Sequence, residues 1–349
     1  MKDIFKKIID AGALAPSGEN CQPWKFVVNQ ESIKLYNLPE RDQSLYNIDQ
    51  FASCIAHGAV LENMSIAAAA NGYKLNINLF PNQKEDPNLV AEISATPDTV
   101  STSTLYDQIS RRTTNRKPYM GTLLTTSQEN TLIKVSENSG GVSFLFNADK
   151  NKMKDIGIAA SSGERIVLEN KELHNFFFQH INWTKEEDDI KKSGFYLETL
   201  ELPEKDKKGF RVASKWNLIK VLNLVGISKK VAKKNAMLYS TGAGVGAITI
   251  KRLSPENFIM AGRILQRVWL NATKLDLNIH PMTGILFLKL RLDLDKNSRI
   301  SQKHSKIISS SYQKICDSFG TKDRIVMLFR IGIAEQPTAR ASRRNDIVF

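Results

Sequence analysis

Ala15–Trp24 reads APSGENCQPW, and this stretch decides the fold more than any other. Pro16, Ser17 and Gly18 predict a tight turn between a helix end and a strand, with backbone N–H groups and a hydroxyl able to face a ligand. Asn20 and Gln22 add amide donors and acceptors, and Trp24 predicts an anchor into a sheet. Taken by composition alone, an ordinary helix-to-strand loop uses the same residues, so the meaning of the stretch depends on what surrounds it.

Upstream, MKDIFKKIIDAGAL alternates apolar residues with Lys6, Lys7 and Asp10. That spacing predicts an amphipathic helix over Lys2–Leu14 and excludes the apolar core of a signal peptide. Downstream, strands are expected at Trp24–Asn29 and Ser32–Asn37. A long helix is expected over Gln50–Gly72, closed by the glycine. Strands follow at Leu75–Phe80 and Leu89–Ser94, then a Ser/Thr/Pro-rich linker over Thr96–Thr104. These boundaries divide the chain into residues 1–104 and 105–349.

The second unit predicts helices at Leu105–Arg111, Ser127–Ser136 and Asn151–Asn170. Lys171–Asn235 reads as a less regular insertion. It carries the charged run KEEDDIKK and the basic amphipathic piece SKWNLIKVLNLVGISKKVAKKN, which fits a lid, a membrane-surface helix or, by default, a packing helix. A buried strand at Ala236–Lys251, a helix at Pro255–Asp276, a strand at Ile325–Ile333 and a basic tail complete the expectation. One internal echo accompanies it. Laying Gly58 over Gly262 brings Leu61 onto Leu265, Ile66 onto Leu270 and Ala68 onto Ala272. This suits a duplicated architecture.

Of the 349 residues, 42% are hydrophobic and 24% charged, and no run approaches the roughly 20 apolar residues of a membrane span. Three scattered cysteines exclude a disulfide framework or metal cluster and suit a reducing cytoplasm. The net charge of +13 is uneven: Met1–Thr104 holds 8 basic and 12 acidic residues, and Leu105–Phe349 holds 41 and 24. The excess lies in the second unit.

Within it, Arg111–Tyr119 reads RRTTNRKPY. Forked guanidinium groups with neighbouring hydroxyls suit a phosphate dianion. A solvated basic turn and a nucleic-acid patch remain open on the same residues. His280–Gly284 (HPMTG) predicts a turn after the long helix, with His280 open to a structural or a proton-donating role. Glu335–Arg344 (EQPTARASRR) continues the last strand as a basic tail. The glycines of GAGVG at Gly242 lack the G-x-G-x-x-G spacing of a dinucleotide loop.

APS-x-x-N-x-QPW resembles the flavin-contacting loop of the nitroreductase family, and R-x-[ST]-x-R at Arg112, Thr114 and Arg116 resembles its phosphate-holding motif. The wording RRTTNRKPY is similar to the long Acg-type branch. The resemblance implies an α+β nitroreductase-like (FMN-dependent) fold, an internally duplicated pseudo-dimer with mainly antiparallel sheets flanked by helices. It implies one FMN, with Pro16, Ser17, Gly18 and Asn20 edging the ring. Gly18 stands where the family usually carries serine. Arg112, Thr114 and Arg116 would hold the phosphate, completed by Arg340 and then Arg343. Thr283 and Gly284 would offer backbone N–H groups to the ring. No metal site is implied.

In short family members the arginine motif precedes the proline–serine loop, and each site is shared across a homodimer. Here each half lacks what the other carries, so one chain would close one site as a monomer or within a homodimer. The implied activity is a cytoplasmic FMN-dependent oxidoreductase transferring two electrons at flavin N5, with a small organic substrate and NAD(P)H as a candidate donor. The alternatives are a flavin-sequestering protein with a lid-covered FMN, and a nucleic-acid or membrane-surface binder on a flavin scaffold. Neither nucleic acid nor a membrane span is expected.

Overall fold

In the computed structural model, which describes residues 2–98, 103–137 and 139–348, the first sheet is built entirely from the leading part of the chain. Helix α1 (Lys2–Ala13) leads through the loop into strands β1 (Trp24–Val28) and β2 (Ser32–Asn37). Helix α2 (Phe51–Ala70) crosses to β3 (Tyr73–Leu79) and β4 (Leu89–Pro97). All pairs are antiparallel, in the order β1-β2-β4-β3.

Helices α3 (Tyr106–Arg111) and α4 (Thr126–Ile133) precede strand β5 (Val142–Asn147). A long helical excursion follows: α5 (Lys150–Ala160), α6 (Ser162–Glu169), α7 (Lys171–Gln179), α8 (Lys185–Lys191), α9 (Glu204–Ala213), α10 (Trp216–Leu222) and α11 (Ile227–Tyr239). The two-residue strands β6 (Ile181–Asn182) and β7 (Phe195–Tyr196) pair within it. Strand β8 (Gly244–Ile250) then returns to the sheet, followed by α12 (Pro255–Lys274), β9 (Asn278–Pro281), α13 (Gly284–Leu294), α14 (Gln302–Phe319) and β10 (Arg324–Gly332). The second sheet is antiparallel with order β5-β8-β10-β9. Reading β5, β8, α12, β9, β10 against β1, β2, α2, β3, β4 gives the same strand order around a helix of the same length, 20 residues.

The two long helices pack on each other at the centre. A Cβ on Gly58 would collide with the carbonyl oxygen of Ile259, and one on Gly262 with that of Ile55, so only glycine allows the backbones this close. Polar contacts beside the crossing obey the same reciprocity. The Gln266 amide donates to Asn63 at 2.7 Å, while Arg267 and Arg263 donate to Glu62 at 2.6 and 2.9 Å. In the alignment through Gly58 and Gly262, position 62 corresponds to 266 and 63 to 267, so both contacts are crossed pairs. Such exchange is the signature of an isologous, two-fold interface. The Gly58–Gly262 echo is therefore a contact in space as well as a match in sequence.

After β10 the chain runs across the molecule to the first sheet. The Phe26 N–H donates to the Ile347 carbonyl at 2.7 Å, and Val348 bridges Phe26 in parallel. The basic tail is thus an ordered strap between the two sheets.

Several expectations change. The Asn151–Asn170 helix is two helices meeting at Ser161, the C-cap of α5, whose N–H bonds back to Gly157. The Lys171–Asn235 insertion is mostly helical. Its charged run forms α8, capped by Thr184, and Gly226 at φ 80° breaks the basic amphipathic piece into α10 and α11. Ala236–Tyr239 continues α11, so the strand expected from Ala236 starts at Gly244, after Gly242 at φ 127° has turned the chain. At the expected linker, Thr96 and Pro97 pair with Lys74 and Tyr73 in β3, and residues 99–102 lie outside the described residues. Strands β5 and β9 and helices α13 and α14 were not anticipated.

Candidate functional site

The loop after α1 is held under backbone strain. Glu19, Asn20 and Gln22 all adopt left-handed φ angles (44°, 53° and 49°), unusual for residues with a side chain. Local and distant contacts hold it there. The Gln22 N–H donates to the Ser17 hydroxyl at 3.0 Å, and the Gln22 amide donates to the Lys192 carbonyl at 2.7 Å. The Asn20 amide donates to the Ser342 carbonyl, and Arg343 donates to the Asn20 side-chain oxygen at 2.7 Å. Trp24 is fully buried beneath. The N–H groups of Ser17 and Gly18 have no acceptor among the described residues.

Three arginines from distant parts of the chain approach this loop. Arg112 is buried, donates to the Leu14 carbonyl at 3.0 Å and lies 4.8 Å over the Trp269 ring. Its Nε is buried with no partner. Burial, then the nearby Arg343 and Arg340, push the guanidinium down to about 9. Arg343 falls to about 10 for the same reasons, burial first and Arg340 second. Arg340 donates to the carbonyls of Ser110 and Arg111 at 2.6 and 2.7 Å. None of the three forms an ion pair among the described residues. A buried cation with two like charges beside it and no carboxylate is costly, and an anion of high charge removes that cost.

Arg116 points elsewhere. It donates to the Thr199 carbonyl at 2.9 Å and stacks on Phe195, both in the insertion, while burial lowers its pKa. Thr114 bridges Ile279 of β9. Arg116 also senses Glu19, whose carboxyl is raised to about 8 by burial and by Asp42, with Arg116 opposing. The turn after β9 meets Tyr46. Gly284 lies beside the Tyr46 ring, and burial and the charge of Glu19 raise the Tyr46 hydroxyl. The N–H groups of Thr283 and Gly284, at the start of α13, have no acceptor among the described residues.

Behind the turn sits a polar layer. Arg330, fully buried in β10, lies 4.0 Å over the Tyr119 ring. It donates to His280 Nδ1 at 3.1 Å, to the Thr241 hydroxyl at 2.7 Å and to the Lys117 carbonyl at 2.8 Å. His280 therefore accepts at Nδ1, and burial followed by Arg330 and Arg116 keeps it neutral. It is a structural partner of Arg330. The Tyr239 hydroxyl donates to Glu164 at 2.6 Å, and burial raises that carboxyl.

No family model matches the chain. It is 23% identical over 97% of its length to an uncharacterised Mycobacterium tuberculosis protein, MT1398, covering 47% of that protein. Acg of M. tuberculosis, named as an NAD(P)H nitroreductase, is 31% identical over 34% of this chain and 36% of its own length. The chain thus spans about half or less of the length of these two relatives. PigM of Serratia sp., also named as an NAD(P)H nitroreductase, is 22% identical over 82% of this chain and 81% of PigM.

The chain is similar in sequence to proteins named as NAD(P)H nitroreductases.

Among solved structures, the nitroreductase NfnB of M. smegmatis overlaps 65% of this chain and 86% of its own, at 9% identity and a TM-score of 0.37. Of the residues singled out by the nitroreductase motifs, Pro16, Ser17, Gly18, Asn20, Arg112, Arg340 and Arg343 come together. Gly284 lies beside Tyr46, and Arg116 and Thr114 face the insertion and β9. Glu19, Tyr46, Glu164, Tyr239 and Arg330 escaped sequence reasoning. Glu19 occupies a variable position of the leading loop and the other four are single polar residues with no motif around them, so only tertiary packing shows their place.

Proposed function

We propose that this chain is an FMN-dependent oxidoreductase holding one flavin mononucleotide between the leading loop and the mid-chain arginines. The observation that carries the proposal is the carboxylate-free cluster of Arg112, Arg340 and Arg343, in which Arg112 is buried and its Nε is orphaned. The residues fit the group. A terminal phosphate dianion supplies the missing acceptors and charge, and the unpaired N–H groups of Ser17, Gly18, Thr283 and Gly284 supply donors for the polar edge of a ring.

Bound FMN supplies two-electron hydride transfer at N5. The chain's own residues bind and orient. Arg112, Arg340 and Arg343 fix the phosphate, and the loop and the α13 start fix the ring edge. Arg116 ties the insertion over the loop through Thr199. The substrate class is a small organic molecule, with NAD(P)H as the electron donor by analogy with the names of Acg and PigM. Residues 1–104 and 105–349 form the two halves of an intramolecular pseudo-dimer, with 171–235 as a lid.

One group of contacts favours a second reading, a flavin-holding chain with little turnover. The insertion is tied down by Gln22 to Lys192, Arg116 to Thr199, Thr338 to Glu201 and Ser342 to Asp188. Photoreduction followed by air and electron acceptors separates the two: fast reoxidation supports turnover, and a persistent reduced spectrum supports sequestration. The test of the proposal itself is the visible spectrum of purified chain with released flavin quantified. One FMN per chain supports it, and a colourless chain that takes up no FMN overturns it.

A further inference from the structure

Helix α10 and the turn behind it are apolar on two sides. Ile219 is fully buried, and Trp216 and Leu222 pack with it against Phe178 and Phe210 in a small core of the insertion. On the other side Leu218, Val221 and Val225, at helical spacing, are 45%, 62% and 68% exposed, and Leu224 at the tip is 86% exposed. A helix with apolar residues on two sides is normally covered on both, and none of the described residues covers the outer one. Contiguous exposed apolar surface rimmed by polar residues marks an interaction site.

The rim identifies the partner's charge. Arg211–Met237 contains seven basic residues and no acidic one. Lys215, Lys220, Lys229, Lys230 and Lys233 are exposed and form no ion pair among the described residues, whereas Lys234 pairs with Asp206. An apolar turn between two helices, flanked by unpaired lysines, has the chemistry of an interfacial anchor. The lysines are drawn to an anionic headgroup layer, and the apolar turn enters the boundary beneath it. No described helix is long and apolar enough to cross the membrane, so the contact is peripheral. A second copy of this face would meet it with like charge.

We propose that the α10–α11 turn docks this protein onto an anionic lipid bilayer, with Leu224 and Val225 entering the interface and Lys220, Lys229 and Lys230 holding the headgroups. This stands on the insertion alone and is independent of whether the chain binds flavin.

The test is co-flotation of the full chain with vesicles of phosphatidylcholine, with and without phosphatidylserine. The expected result is partitioning onto the phosphatidylserine vesicles only, weakening as salt rises. The Leu224→Asp/Val225→Asp variant and the Lys229→Glu/Lys230→Glu variant should each lose at least about tenfold in partitioning. All four positions are exposed, so circular dichroism of both variants should match the parent. Partitioning that survives either variant overturns the proposal, as does a parent chain that stays in solution with both vesicles. Retention on DNA without vesicle partitioning also overturns it, in favour of a nucleic-acid surface. Dimerisation lost on Leu224→Asp without partitioning overturns it in favour of a second copy.

Discussion

The two sheets share one strand order and one central-helix length, yet they differ in what is attached to them. The first is compact: its strands are joined by α2 and short turns, and ahead of β1 it carries the strained Ala15–Trp24 loop. The second is interrupted twice, by seven helices between β5 and β8 and by α13 and α14 between β9 and β10, and ahead of β5 it carries Arg112. The difference teaches that one architecture occurs twice in the chain while, in the proposed reading, the ligand-facing residues are divided between the two halves. The crossing of α2 and α12 holds the two halves together, and the C-terminal strap brings Arg343 to the loop of the first and Arg340 to the end of α3.

The largest effect should come from the crossing itself. Gly58→Ala or Gly262→Ala places a methyl against a backbone oxygen that cannot move without displacing a helix, at a cost of about 3 kcal/mol or more. Gly209→Ala, in α9 with open space at its Cβ, should be neutral or stabilising by about 0.5–1 kcal/mol. Urea denaturation of the three variants checks this. Equal stabilities would mean the crossing is not the joint between the copies.

Next comes the charge held between them. Arg112→Met keeps the stacking volume over Trp269 and removes a buried cation. The folded pKa of Arg112, about 9, lies below its unfolded value, so holding its proton costs stability at every pH below about 9. That cost fades as pH rises from there toward the unfolded value. The ligand-free variant should therefore melt at or above the parent temperature at neutral pH. Its FMN retention should still fall by roughly tenfold to a hundredfold. Arg340→Met, more exposed, should show the same pattern more weakly. Melting curves with and without FMN measure both quantities.

The smallest effect lies in the loop. The carboxyl of Glu19 is raised to about 8, so the fold favours its neutral form. That preference stabilises the chain at low pH and is lost as pH climbs from the ordinary carboxylate range through about 8. Glu19→Gln should match the ligand-free parent near pH 5 and melt a few degrees higher near pH 9. Parallel curves across that range would place Glu19 in water.

Much of this was legible in the chain. Helices α1 and α12 and strand β2 show periodicity with a proline or glycine near one end, which survives folding because it is what buries a face, while α2 and β10 are legible as long apolar runs closed by a glycine. The motif arginine Arg112 and the tail arginines were legible because their sequence neighbours mark them. Helix α13 was not: GILFLKLRLDL alternates apolar and charged residues as a strand would, and only its packing between α14 and β10 makes it helical. Strand β5 is short and bounded by glycines and an asparagine, so it reads as loop. Arg330 stands inside the apolar run of β10, and nothing local reveals that it organises Tyr119, His280 and Thr241. The divergence of Arg116 from Arg112 has a similar cause, since spacing within a motif does not fix which neighbour each side chain meets.

The most direct measurement is equilibrium binding of FMN and of riboflavin, its phosphate-free counterpart, to ligand-free parent chain and to Arg112→Met. The parent should bind one FMN per chain, on the order of a hundredfold more tightly than riboflavin, and Arg112→Met should bring the two ligands close to equal. Equal affinity of the parent for both, or binding of neither, would contradict the account.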